Sequence, residues 1–258
     1  MLGAIAGDIV GSVFEGSGRK ETDFPLFSSR STFTDDTVLT IAVAAVLLEG
    51  GDYASALRRY GRRYPHRGYG ASFHEWLYDD SLGAYNSWGN GSAMRVSPVG
   101  FSAKTIDEVL SEAQRSAAVT HNHPEGVRGA QATALAIFLA RHGASKSELR
   151  RELSERFGYD LGRVVDEIRP GYAFDVSCQG SVPESIICFL DSPNLEGAIR
   201  LAVSLGGDAD TMACIAGGIA EAFYGGVPDV IEAEVRNRLP EDLFDIVDRF
   251  RARFFEHQ

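Results

Sequence analysis

Two short acidic motifs lie far apart in this chain: Thr34-Asp35-Asp36-Thr37 near its start and Asp208-Ala209-Asp210-Thr211 near its end. Each precedes a run of small and apolar residues. Each therefore places its acids at a helix N-terminus, where free N–H groups and the macrodipole favour negative charge. Capping of that kind accounts for one Asp in each motif. It accounts less well for the second, because adjacent carboxylates beside a hydrophobic helix repel each other. Were the motifs to converge in a partly buried place, each close pair would cost a few kcal/mol at an effective dielectric of about 20. The group would then have to take up protons or a cation. The neighbouring Thr hydroxyls are hard oxygen donors too, and an oxygen-only set suits Mg²⁺, Mn²⁺ or Ca²⁺ rather than zinc. Spacing leaves two readings open, a metal site or two exposed capping clusters, because nothing in it brings residue 35 to residue 208.

Other candidate chemistry is weaker taken alone. Glu15 follows an apolar stretch and is either an ordinary acid of a last helical turn or a general acid/base that orients water. His121 and His123 are separated by one residue in VTHNHPEG. With no third His or Cys nearby, they suit a ligand contact or a helix start rather than zinc. The run NSWGNGSAMRVSPVG can offer backbone N–H groups to phosphate, yet it lacks the GxxxxGK[ST] pattern of a P-loop and a strand before it. The aromatics between residues 69 and 88 either fill a core or present one face to a base.

The elements that must position these residues are helical. Gly3, Gly7 and Gly11 recur every four residues, which predicts a closely packed helix over residues 2–14 with Asp8 and Glu15 on nearly one face. Residues 16–33 read as a loop. Residues 34–50 are apolar nearly all round and predict a buried helix. Further helices are expected at 53–64, 105–118, 125–142, 145–157, 161–168, 181–191 with Pro183 in the first turn, 194–205, 210–224 and 240–255. Residues 66–100 read as a long stretch of glycines and aromatics with little periodicity. Few segments alternate with period two and no βαβ series is apparent, so the expected fold class is all-α. With no linker and no repeat, residues 1–258 are expected to form one domain, and a monomer is the expectation for one compact domain.

A formal net charge of −11 with no visible basic face argues against a protein that tracks a nucleic-acid backbone. The apolar segment at residues 38–48 is too short to span a bilayer. The start of the chain lacks a basic region, and Asp8 interrupts its apolar stretch, so no signal peptide is expected. Cys178, Cys188 and Cys214 are widely spaced and odd in number, which fits small buried side chains in a reducing, cytoplasmic setting.

Taken in order, GAIAGDIVGSVFE, FTDDT, GNGSAMRVSPVG, VTHNHPEGVRGAQA and SLGGDADTMACIAGGIAEAFYG resemble the ADP-ribosylglycohydrolase family across almost the whole chain. The resemblance implies an all-helical domain with a binuclear Mg²⁺ or Mn²⁺ centre in a cleft. It implies Thr34, Asp35 and Asp36 as metal ligands from one side and Asp208, Asp210 and Thr211 from the other. Glu15 matches the family's acid beside the metals. Gly89, Asn90, Gly91, Ser92 and Met94 match its ligand-binding loop, and His121 matches the His that helps hold a diphosphate, with His123 as a near competitor. The implied reaction is hydrolysis of the bond between a terminal ribose and an acceptor. The substrate would be an ADP-ribosylated protein or a small ADP-ribose conjugate. Arginine is the leading acceptor. Serine-, O-acyl- and nucleic-acid-linked ADP-ribose are alternatives, as is a binding module without turnover.

Overall fold

In the computed structural model, which describes residues 1–255, the chain forms fifteen helices and, among the described residues, no strand. In chain order they are α1 (Leu2–Gly11), α2 (Asp35–Glu49), α3 (Tyr53–Arg63), α4 (Ala71–Tyr78), α5 (Gly91–Met94), α6 (Ser97–Ser102), α7 (Ile106–Ala118) and α8 (Pro124–Arg141). Then follow α9 (Lys146–Phe157), α10 (Val165–Ile168), α11 (Cys178–Asp191), α12 (Leu195–Ser204), α13 (Ala209–Tyr224), α14 (Asp229–Arg236) and α15 (Glu241–Phe254). The all-α expectation holds. No described helix is long and apolar enough to cross a membrane.

The core is built around α13, which packs against α1, α8, α11 and α12. Its contact with α1 is a backbone contact. A Cβ on Gly7 would collide with the Ala213 carbonyl, one on Gly3 with the Gly217 carbonyl, and one on Gly11 would sit 2.5 Å from the Ala209 carbonyl. The four-residue glycine spacing thus does what helical geometry requires of it: one face of α1 is bare, and α13 lies against that face. All of α1 is buried. Helix α2, apolar all round, is buried from Asp36 to Val46 and enclosed by α1, α3, α6 and α15. Its N-terminus is capped by the Thr34 side chain, which accepts from the Asp36 N–H.

Several boundaries differ from the sequence expectation. Helix α1 stops at Gly11, and the chain turns through Phe14 N–H to Gly11 C=O and Ser17 N–H to Phe14 C=O bonds. Glu15 therefore lies on an exposed turn and not on the helix. Within residues 66–100, α4, α5 and α6 are helical. Helices α4, α5 and α6 lack a side-chain cap, and Gly100 sits inside α6 because a Cβ there would meet Ala134 and Ile137 of α8. Helix α11 begins at Cys178, with Ser177 accepting from the Gly180 N–H, so Pro183 falls inside the helix rather than in its first turn. Helix α14 begins after Pro228 without a side-chain cap, which left it no local start signal beyond the proline.

The α1–α13 contact yields a direct prediction. Gly7→Ala is expected to lower unfolding free energy by about 3 kcal/mol, since backbone rather than a flexible side chain must move. Gly83→Ala, where the added Cβ meets nothing within 4 Å, is expected to stay within about 0.5 kcal/mol. Urea denaturation of the two variants measures both, and equal effects would contradict this account of the packing.

Candidate functional site: a carboxylate cleft

The helix starts carrying the two acidic motifs face each other. Desolvation raises Asp36 well above the ordinary carboxylate range, and the nearest charges that add to this are Asp210, Asp8, Asp35 and Asp208. Asp35 is raised well above it by burial and by Asp8, Asp208 and Glu15, and Asp210 by burial and by Asp208 and other acids. One oxygen each of Glu15, Asp208 and Asp210 lies within 4.8 Å of the others. The acids are not spent on capping. Thr34 caps α2, and Asp208, although in the cap position of α13, makes no capping bond. Asp208 Oδ2 instead accepts from Asn90 Nδ2 at 2.8 Å, and the buried Asp36 Oδ2 has no partner at all. A buried carboxylate oxygen with no donor, among like charges, has the chemistry of a hard-cation ligand.

Asp8, which the sequence reading placed on a helix face with Glu15 and as an interruption of an apolar stretch, organises the first motif. It is completely buried in α1. Oδ1 accepts from Thr34 Oγ1 (2.7 Å), and Oδ2 accepts from Thr34 N (3.0 Å), Thr37 N (3.2 Å) and Thr37 Oγ1 (2.5 Å). The Thr34 hydroxyl proton is thereby directed into the core, which turns its remaining lone pair outward. The available signal was the lone Asp among apolar neighbours, since a carboxylate buried there must collect donors. Asp35 N–H donates to the Arg67 carbonyl (2.7 Å), which brings residues 66–70 over the motif. On the opposite side Lys20 Nζ donates to the Tyr172 and Leu205 carbonyls (2.7 and 2.5 Å) and pins the strand of chain leading into Asp208.

These acids belong to a cleft of ≈ 390 Å³. Glu15, Thr34, Asp35, Asp36, Asp208, Asp210 and Thr211 all line it, as do Gly89, Asn90, Gly91, Met94 and His121. Ser92 does not. Its Oγ is buried and donates to the Gly126 carbonyl at 2.6 Å, tying α5 to α8. Asn90 uses its amide on Asp208 and on Ser181 Oγ, and so links the glycine loop to the acids. The two histidines separate cleanly: His123 caps α8 by accepting from Glu125 N–H, while His121 is buried at the cleft wall. Burial, with the Arg95 charge beside it, holds His121 well below the usual imidazole value. Leu39, Gly68, residues 70–73, Tyr85, Ser87, Trp88, Arg95 and Val176 complete the lining; Phe73, Tyr85 and Trp88 belong to the aromatic stretch offered from sequence as core or base-stacking, and the others were not among the site residues expected from sequence.

Comparison with known proteins shows the family. The ADP-ribosylglycohydrolase family model matches residues 1–258. The chain belongs to that family. Among its relatives, mouse ADP-ribosylhydrolase ARH3 is 31% identical over an alignment covering 87% of this chain and 82% of that protein. The ADP-ribosylarginine hydrolase Tri1 of Pseudomonas putida is 29% identical, with 95% and 76% covered. A solved structure described as an ADP-ribosylglycohydrolase-related protein complex superposes with a TM-score of 0.71 at 26% identity, covering 96% of this chain and 95% of that one.

The Asp8 tether is open to direct measurement. In Asp8→Ala the amides of Thr34 and Thr37 lose their acceptor, and their hydrogen exchange is expected to accelerate at least about tenfold relative to amides in the middle of α2. Unchanged exchange at both positions would mean that the start of α2 is held without Asp8.

Proposed function

We propose that this chain removes ADP-ribose from modified arginine on protein by metal-dependent hydrolysis, acting as a monomeric single domain in the cytoplasm. The observation that carries this reading is the convergence of Glu15, Asp35, Asp36, Asp208 and Asp210 in one cleft that a glycine loop and a buried histidine also line. Family membership supports ADP-ribosyl hydrolysis, and the Pseudomonas putida relative named for ADP-ribosylarginine supports the acceptor. Three free, buried cysteines fit a reducing compartment.

Thr34, Asp35 and Asp36 on one side and Asp208, Asp210 and Thr211 on the other would hold two divalent cations, Mg²⁺ or Mn²⁺. The partnerless Asp36 Oδ2 and the mutual repulsion of the acids fit such ions. Bound there, divalent cations supply Lewis-acid chemistry, polarising oxygen atoms and lowering the pKa of water. The protein groups do the rest. Gly89, Gly91 and His121 receive the diphosphate, and Trp88, 48% exposed at the mouth, offers its face to the base. Asn90 holds Asp208 in place from the same loop. Glu15, raised by burial and by Asp208 and Asp8, carries the proton. In the balanced reaction the bond from ribose C1″ to the guanidine nitrogen breaks and a water oxygen bonds to C1″. Glu15 accepts the water's proton and returns it to the departing nitrogen.

A panel of arginine-, serine-, O-acyl- and nucleic-acid-linked ADP-ribose, with products identified by mass spectrometry, tests this. Release from the arginine conjugate is expected to need Mg²⁺ or Mn²⁺, to vanish with EDTA, and to fall at least about 100-fold in Asp35→Ala and Glu15→Gln. Turnover of another linkage alone would replace the acceptor. Tight ADP-ribose binding without release from any conjugate would replace the enzyme with a binding module. In calorimetry, Mn²⁺ is expected to bind the wild type and to bind Asp35→Ala and Asp210→Ala at least about tenfold more weakly.

A further inference from the structure

Arg95 is fully buried at the cleft wall. Its Nη2 donates to the Ser116 carbonyl and to Thr120 Oγ1, both at 2.9 Å, while Nε and Nη1 have no partner. A guanidinium has donors only, so in its bond to Arg95 the Thr120 hydroxyl must be the acceptor. The hydroxyl's single proton is left for the other polar atom in reach, His121 Nδ1, at 2.7 Å. A ring nitrogen that accepts is unprotonated, and the proton of a neutral imidazole must then sit on Nε2. Nε2 is the atom that faces the glycine loop, 3.0 Å from where a Cβ on Gly91 would stand and 3.7 Å from one on Gly89.

We infer that Arg95 and Thr120 are positioning residues that lock His121 as a neutral Nε2–H donor aimed at the Gly89–Gly91 loop, where it receives an anionic oxygen and cannot serve as a base. Identifying that oxygen as diphosphate rests on the ADP-ribosyl reading; the tautomer does not. A neutral ring protonated on Nδ1 would leave the buried Thr120 hydroxyl proton without a partner, and an imidazolium donating from both nitrogens is opposed by burial and by the Arg95 charge. Tyr85, whose ring centroid lies 6.0 Å from that of His121, is a phenol that burial pushes up to about 12, and it offers no negative charge at neutral pH. The guanidinium has no carboxylate among its hydrogen-bond partners, so its charge adds to the preference for an anion beside the Gly89–Gly91 loop.

Nitrogen-15 NMR of the histidine rings in the ligand-free protein reads the tautomer, with His121→Gln assigning the signals. The wild type at neutral pH is expected to show Nε2 protonated and Nδ1 accepting. Thr120→Val is expected to lose that fixed pattern and to bind ADP-ribose about tenfold more weakly by calorimetry, and Thr120→Ser to restore both. A wild-type ring that is charged or protonated on Nδ1 overturns the inference. So does a Thr120→Val variant in which either the ring pattern or the affinity is unchanged. Should Thr120→Val fail to fold, Thr120→Ser must still show the wild-type ring, and a different pattern there is equally decisive. A wild type that neither binds ADP-ribose nor hydrolyses its conjugates would refute the proposed function while leaving the tautomer standing. A wrong tautomer in an active hydrolase would refute this inference alone.

Discussion

The contact of the α1 backbone with the α13 backbone sets where the carboxylates stand. Helices that meet through larger side chains are held 8–10 Å apart, and bare glycine faces let these two come closer. Because Gly11 lies against the first turn of α13, the helix that carries Asp8 ends beside Asp210. Asp8 then fixes the start of α2 through both threonines of the first motif. Three helices, α1, α2 and α13, are thereby referred to one another at a single corner, and Glu15 enters that corner from the turn that ends α1.

That corner is electrostatically unfavourable by itself. Asp8, Asp36, Asp208 and Asp210 are buried there, Asp35 and Glu15 are more open, and the shifts in their proton affinity run upward together. Another part of the lining has the reverse character, with a buried guanidinium, a neutral ring and glycine backbone. A ligand that carries both cation-seeking hydroxyls and negative charge matches this pairing, and Asn90 couples the two parts by reaching from the glycine loop to Asp208.

The fold class and most helices were legible because apolar periodicity and caps such as Thr34, Thr105 and Ser145 are local signals. The capping box at Ser145 and Glu148 forms as its spacing predicts. What was not legible depended on the third dimension. Spacing could not bring residue 35 to residue 208. Arg95, in a glycine-rich polar stretch, has the local look of a surface residue, and only packing shows that it is enclosed. His121 and His123 are two residues apart and chemically alike, yet one begins a helix and the other faces the cleft. Ser92 shares the loop's sequence signature but is turned toward α8 by its bond to Gly126.

The wall formed by Gly68 and residues 70–73 stands apart from all this. It belongs to a loop and to α4, which packs on α3, and it meets the acidic corner where Arg67 accepts from Asp35 and Gly68 approaches it. Substitutions along α4 would reshape one side of the cleft mouth while leaving the α1–α2–α13 corner intact. The molecule thus has a part whose residues constrain one another through backbone contacts and carboxylate hydrogen bonds, and a wall on α4 anchored separately by Phe73, Trp76 and Leu77. Divergence between relatives that keep the same chemistry but accept different groups has an open route through that wall.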